Sequence, residues 1–104
     1  MEGNKKAQTF IGFAIKARKC KIGANAVLTL KKANLIIVCK SASDNTKKQA
    51  EKFASRFNCP LIETVTKTLE GLTFKDNAKV MAIADQALAS AVLENIQDDF
   101  IARN

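Results

Sequence analysis

The sequence predicts an α/β layered sandwich, on three observations. Residues 35–39 and 80–84 (LIIVC and VMAIA) are short, apolar and β-rich, the character of central strands covered on both faces. Other stretches space their apolar residues at helical intervals, most clearly Ala50, Phe53, Ala54 and Phe57 at i, i+3, i+4 and i+7. The two kinds of segment alternate, with no internal repeat and no linker. At 104 residues the chain is expected to form one domain, residues 1–104, around a single core.

The elements follow in order. A first helix is expected from about Thr9, with Phe10, Phe13, Ala14 and Ala17 on its inner face and Ile11 and Ile15 beside them. Lys16, Arg18 and Lys19 at its end complement the helix dipole, and equally suit an edge that faces phosphate. Residues 20–22 suit a brief edge strand. Gly23 then turns the chain into a second helix, residues 24–32, burying Ala24, Val27, Leu28 and Leu30 and stopped by Asn34. After the strand at 35–39, Ser43 or Asp44 caps a third helix. Asn58 ends it, and Pro60 forbids its continuation into the strand at 61–65. One or two helical turns follow, with Leu69 and Leu72 inward, then a loop at 74–78 and the strand at 80–84. Asp85 caps a last helix whose inner stripe is Ala87, Leu88, Ala91, Val92 and Ile96, with Phe100 at its end.

Composition narrows the function. There is no histidine, so the commonest general base and metal ligand are missing and no Ser-His or Cys-His nucleophile can be built. Cys20, Cys39 and Cys59 are widely spaced and form no C-x-x-C pair, which excludes a zinc ribbon or a thioredoxin-type motif and suits reduced thiols. No Walker lysine motif, G-x-G-x-x-G or H-E-x-x-H occurs, and the adjacent Asp98 and Asp99 diverge on a helix rather than pairing. The expectation is a non-enzymatic protein with no catalytic residues, no cofactor and no metal. The longest apolar run falls far short of the roughly 20 residues that cross a bilayer, and the N-terminus lacks the apolar core of a signal peptide, so a cytoplasmic monomer without membrane contact is expected.

Charge supplies the positive indication. The net charge is +7, but 13 of the 17 basic residues and only three of the ten acidic ones precede Leu61. Such asymmetry is the footprint of a nucleic-acid partner, set against the alternative of a solubilising surface. The basic residues crowd around two helix starts. At the first, Gly23, Ala24 and Asn25 present backbone amides without helical partners, downstream of Lys16, Arg18, Lys19 and Lys21. Phosphate is the ligand such a place suits, and RNA its expected source. Phe74, in the loop, is suited either to stacking on a base or to plugging the core beneath the loop.

The order of these segments resembles the kink-turn-binding ribosomal protein superfamily of the L-seven-Ae and L-thirty-e type, in its small bacterial ribosome-associated branch. The resemblance spans residues 10–93 and rests on Gly23-Ala24-Asn25, on Lys32-Ala33-Asn34-Leu35-Ile36-Ile37-Val38, on Ala42-Ser43-Asp44-Asn45-Thr46-Lys47-Lys48, on Asn58-Cys59-Pro60-Leu61-Ile62 and on the 80–84 strand. It implies a three-layer α-β-α sandwich with a mixed four-stranded sheet, and an RNA partner, structured and associated with the ribosome. It further implies that Gly23 lets the backbone approach RNA, that Asn25 reads a guanine edge at sheared G·A pairs, and that residues 74–78, including Phe74, Lys75 and Asn77, cover a flipped-out nucleotide. Ser43, Asn45 and Lys47 match positions near the RNA edge, and Lys19, Lys21 and Lys32 add charge. Ala26 departs from the family's Glu or Gln, Thr29 from its Lys, and Phe74 from a glycine. Ala26 and Thr29 favour an alternative, a protein-interaction module of the same fold docking through that helix edge or through Ala89, Leu93 and Ile96.

Overall fold

The computed structural model describes residues 6–65, 68–73, 75, 78–96 and 100–103. Helices and strands alternate: α1 (Lys6–Lys16), β1 (Cys20–Ile22), α2 (Ala24–Leu28), β2 (Leu35–Val38), α3 (Asp44–Phe57), β3 (Leu61–Thr64), α4 (Leu69–Thr73), β4 (Val80–Ile83), α5 (Gln86–Leu93) and β5 (Phe100–Ala102). The sheet order is β1-β4-β2-β3-β5. It is mixed: β2 and β3 run parallel, while β4 is antiparallel to both β1 and β2, and β5 is antiparallel to β3.

Every residue of β2, β3 and β4 is buried, because helices cover both faces of the sheet. Helices α2 and α3 pack on each other and on the sheet, and α1 packs against α4 and α5. The two expected caps form. Ser43 Oγ accepts from the Thr46 amide at 3.2 Å, and an Asp85 carboxylate oxygen accepts from the Leu88 amide at 2.9 Å. Asn58 closes α3 in the left-handed conformation, at φ 53°. Among the described residues no helix is long and apolar enough to cross a membrane.

Four expectations are corrected. The sheet has five strands, not four, because Phe100 begins a strand rather than ending the last helix; its ring is buried while Ile101 and Ala102 face outward. The second helix stops at Leu28 instead of Lys32: the Thr29 and Leu30 amides donate to the Ala26 and Val27 carbonyls at 3.1 Å, tighter i to i−3 bonds that close the last turn, and the Thr29 hydroxyl also donates to Ala26 at 2.6 Å. That shortening leaves Leu28 half exposed. The inner face of α1 is Ala7, Ile11 and Ala14, with Phe13 turned outward to meet Phe10 edge-on at 5.9 Å. Ala89 belongs to the core, at 2 % exposure, so it offers a partner nothing.

One buried carboxylate ties the far edge of the sheet together. Glu63 in β3 receives a hydrogen bond from the Arg103 guanidinium and an ion pair from Lys47 Nζ at 3.2 Å, and Arg103 also reaches Glu51 at 2.9 Å. Burial alone would raise the Glu63 pKa, but the bonds from Arg103 and Lys47 outweigh it and hold the carboxyl below its ordinary 4.5. The native carboxylate therefore favours the folded state above that value, and the advantage disappears as acid protonates it. Glu63→Gln is expected to lower Tm at neutral pH and to flatten the fall in Tm between about pH 6 and pH 3. Arg103→Ala is expected to cost about 2 kcal/mol, measured by urea unfolding.

Candidate nucleic-acid interface

Two backbone hydrogen bonds set the geometry of the site. The Gly23 amide donates to the Val80 carbonyl at 2.8 Å, and the Cys39 amide donates to the Lys79 carbonyl at 2.8 Å. Both fall at the start of β4, so the start of α2, the exit of β2 towards α3, and the loop before β4 share one end of the sheet. Gly23 adopts φ 97°, which favours glycine, and the space that a Cβ would enter there is open. Ala24 is half buried. Asn25 is exposed, and among the described residues its amide has no hydrogen-bond partner. At five residues α2 brings little dipole, so charge at this end has to come from side chains.

Those side chains line a cavity of about 480 Å³ along the outer edge of β1. Arg18, Lys21 and Lys75 stand around it, with Ile15, Ile22 and Ala26 as its apolar wall. Burial raises the Cys20 thiol pKa, and the nearby Lys75 and Lys21 partly offset this, so both cations lie within electrostatic reach of the cavity wall. None of the three cations has a carboxylate within ion-pair distance among the described residues. Lys79, by contrast, pairs with Glu70 at 3.0 Å and donates to Ser41 Oγ at 2.9 Å, which holds the approach to β4 against α4. Arg18 adopts φ 59°. Asparagine and glycine tolerate that conformation; arginine does so at a cost of about 1 kcal/mol.

The other expected site residues separate. Lys19 is exposed, but its carbonyl accepts from the Ala84 amide, which puts its backbone at the far end of β4. Lys32 is also at that end: it borders a different cavity, with Asn34, Phe57, Pro60 and Gln86. The Asn34 amide bonds to Ile83, three residues and about 10 Å along β4 from the Val80 anchor of Gly23. Ser43 is engaged as a cap. Lys47 is engaged with Glu63, which leaves its charge no free phosphate partner to seek. Asn45 is exposed and lines a groove between α2 and α3. Phe74 and Asn77 lie outside the described residues. Arg18, expected at a phosphate-facing helix end, lines the β1 cavity, and Lys48, Lys52 and Arg56 line the α2–α3 groove with an i, i+4, i+8 spacing that the sequence displays.

Comparison with known proteins fits this architecture. A solved structure from Bacillus halodurans C, of a protein with unknown function, superposes with a TM-score of 0.74 at 20% identity, covering 91% of this chain and 100% of that one. This shows a shared fold. The RNA-binding protein YlxQ of Enterococcus faecium is 31% identical over 100 residues, covering 92% of this chain and 97% of that protein. The chain belongs to the YlxQ family. No family profile matches it.

Two positions in this YlxQ-family chain decide what its cavity can do. Ala26 offers the cavity a methyl group and no hydrogen-bonding side chain. Arg18 keeps a long cation in a conformation that a glycine would adopt more easily. Arg18→Gly is expected to raise stability by up to about 1 kcal/mol, read from urea unfolding, because relief of the left-handed strain exceeds the added freedom of the unfolded chain. Unchanged or lower stability would show that the arginine side chain stabilises this turn.

Proposed function

We propose that this chain is a non-enzymatic RNA-binding protein that grips a kinked or otherwise structured RNA, associated with the ribosome in the cytoplasm, and acts as a monomer without cofactor. The observation that carries the reading is the rim of Arg18, Lys21 and Lys75, unpaired among the described residues, around a cavity walled by Ala26, next in the chain to the exposed Asn25. Its support from kinship is the YlxQ relative, whose name states RNA binding. Cations of this kind position a backbone, while an amide that both donates and accepts can read a base edge. In this reading the RNA backbone lies along β1 and the start of α2, and Asn25 meets the edge of a G·A pair at the bend. The loop at 74–78 closes over a nucleotide displaced by the bend, with Lys75 on its phosphate.

Ala26 favours a second reading, because it leaves the cavity without a polar side chain on that wall. There the same surface serves a protein partner and has lost specific RNA recognition.

Titration with a short kink-turn RNA at several salt concentrations separates the two. Three phosphate-neutralising cations predict a log–log slope of about −2 to −3. Asn25→Ala is expected to reduce discrimination in favour of RNA with G·A pairs by roughly 1–3 kcal/mol, with little change on RNA lacking them. Arg18→Gly is expected to make the slope shallower by about one. No binding at low salt, or a slope near zero, would favour the protein-interaction reading.

A further inference from the structure

Helix α3 sorts its charges to two flanks. On the flank towards β3, Lys47 and Glu51 are engaged with Glu63 and Arg103. On the flank towards α2, Lys48, Lys52 and Arg56 border a groove of about 620 Å³ together with Asn45, Leu28 and Phe53. All three cations are exposed, and among the described residues none has a carboxylate within ion-pair distance. The Arg56 guanidinium lies over the Phe57 ring, 5.1 Å from its centroid. Successive cations four residues apart rise about 6 Å along the axis, so the row extends about 12 Å. Opposite them is Leu28, 47% exposed at the end of α2. A solubilising surface has no need of an apolar wall facing a row of like charges. A nucleic-acid strand has use for both, since its phosphates meet the cations and a sugar or base face meets the leucine.

We infer that this groove is a second backbone track, which takes the single strand of RNA leaving the bend. The inference rests on the RNA-binding reading above. Its position supports it: α3 begins just beyond the exit of β2, at the same end of the sheet as Gly23 and Asn25, so a strand passing the start of α2 enters the groove at Asn45 without crossing the sheet. The track reads charge and spacing, not sequence, because its three cations contact backbone. It is also separate from the first rim, since no residue lines both cavities.

The test uses the full chain and three RNAs: a kinked hairpin trimmed to its bend, the same hairpin with an added single strand of about eight nucleotides on the side leading to α3, and a straight hairpin of the same length as the first. The wild type is expected to bind the extended RNA about tenfold more tightly at low salt, with a log–log salt slope steeper by about 2. The variant K48Q/K52Q/R56Q is expected to lose that gain and the extra slope, and to bind the trimmed RNA within about twofold of wild type. Its Tm, measured alongside, should fall by only a few degrees, because all three side chains are exposed and only the Arg56–Phe57 contact is lost. No gain from the extension, or an equal loss on both kinked RNAs, overturns the track. The two readings fail differently. A wild type that binds kinked and straight RNA alike overturns recognition of the bend, while a strand-dependent loss in the triple variant still supports the groove.

Discussion

The placement of β4 between β1 and β2, antiparallel to both, is the constraint on which the rest depends. Its four residues are fully buried and bond to a strand on either side. Its first residue anchors Gly23, and Lys79 just before it anchors Cys39. Three segments far apart in the chain therefore end at one place: the turn into α2, the turn into α3 and the loop before β4. Without that insertion Lys75 would have no reason to approach Lys21, and the cavity along β1 would lack one of its cations.

The electrostatics build on this frame by selective pairing. Among the described residues three acidic side chains are ion-paired: Glu63 and Glu51 with Arg103 and Lys47, and Glu70 with Lys79. The cations near α2 are left facing water. A strongly basic sequence would give a diffuse positive surface if its few carboxylates were spread evenly. Here three carboxylates, on β3, α4 and α3, are taken up by Lys47, Lys79 and Arg103, while the cations that line the β1 cavity and the α2–α3 groove have no ion-pair partner among the described residues. The tightly held Glu63 thus stabilises the sheet edge while clearing negative charge from the opposite flank of α3.

Much of the fold was legible because β2 and β4 are buried on both faces, which makes their sequences continuously apolar, while Pro60 marked the entry to β3. The caps at Ser43 and Asp85 and the stop at Asn58 were legible because each is a local, side-chain-driven event. The misses have equally physical causes. Strand β5 is three residues long with two of them exposed, so it has no periodicity to detect, and only pairing with β3 defines it. Helix α2 closes early in tighter i to i−3 backbone bonds at Thr29 and Leu30 that no apolar pattern announces. For the site, Gly23, Asn25 and Lys21 were legible from local chemistry. That Lys32 and Lys19 belong to the other end, and that Lys47 is consumed by Glu63, follows from strand register and tertiary pairing, which local sequence does not encode.

The central claim is that β4 gathers one anion-facing end and edge of the molecule. Backbone amide chemical shifts followed by NMR during titration with a kinked RNA hairpin test it most directly. The account predicts that perturbed amides cluster at Lys21, Gly23, Asn25 and Lys75. Perturbations centred instead on Lys32, Asn58 and Gln86, at the opposite end of the sheet, would contradict it.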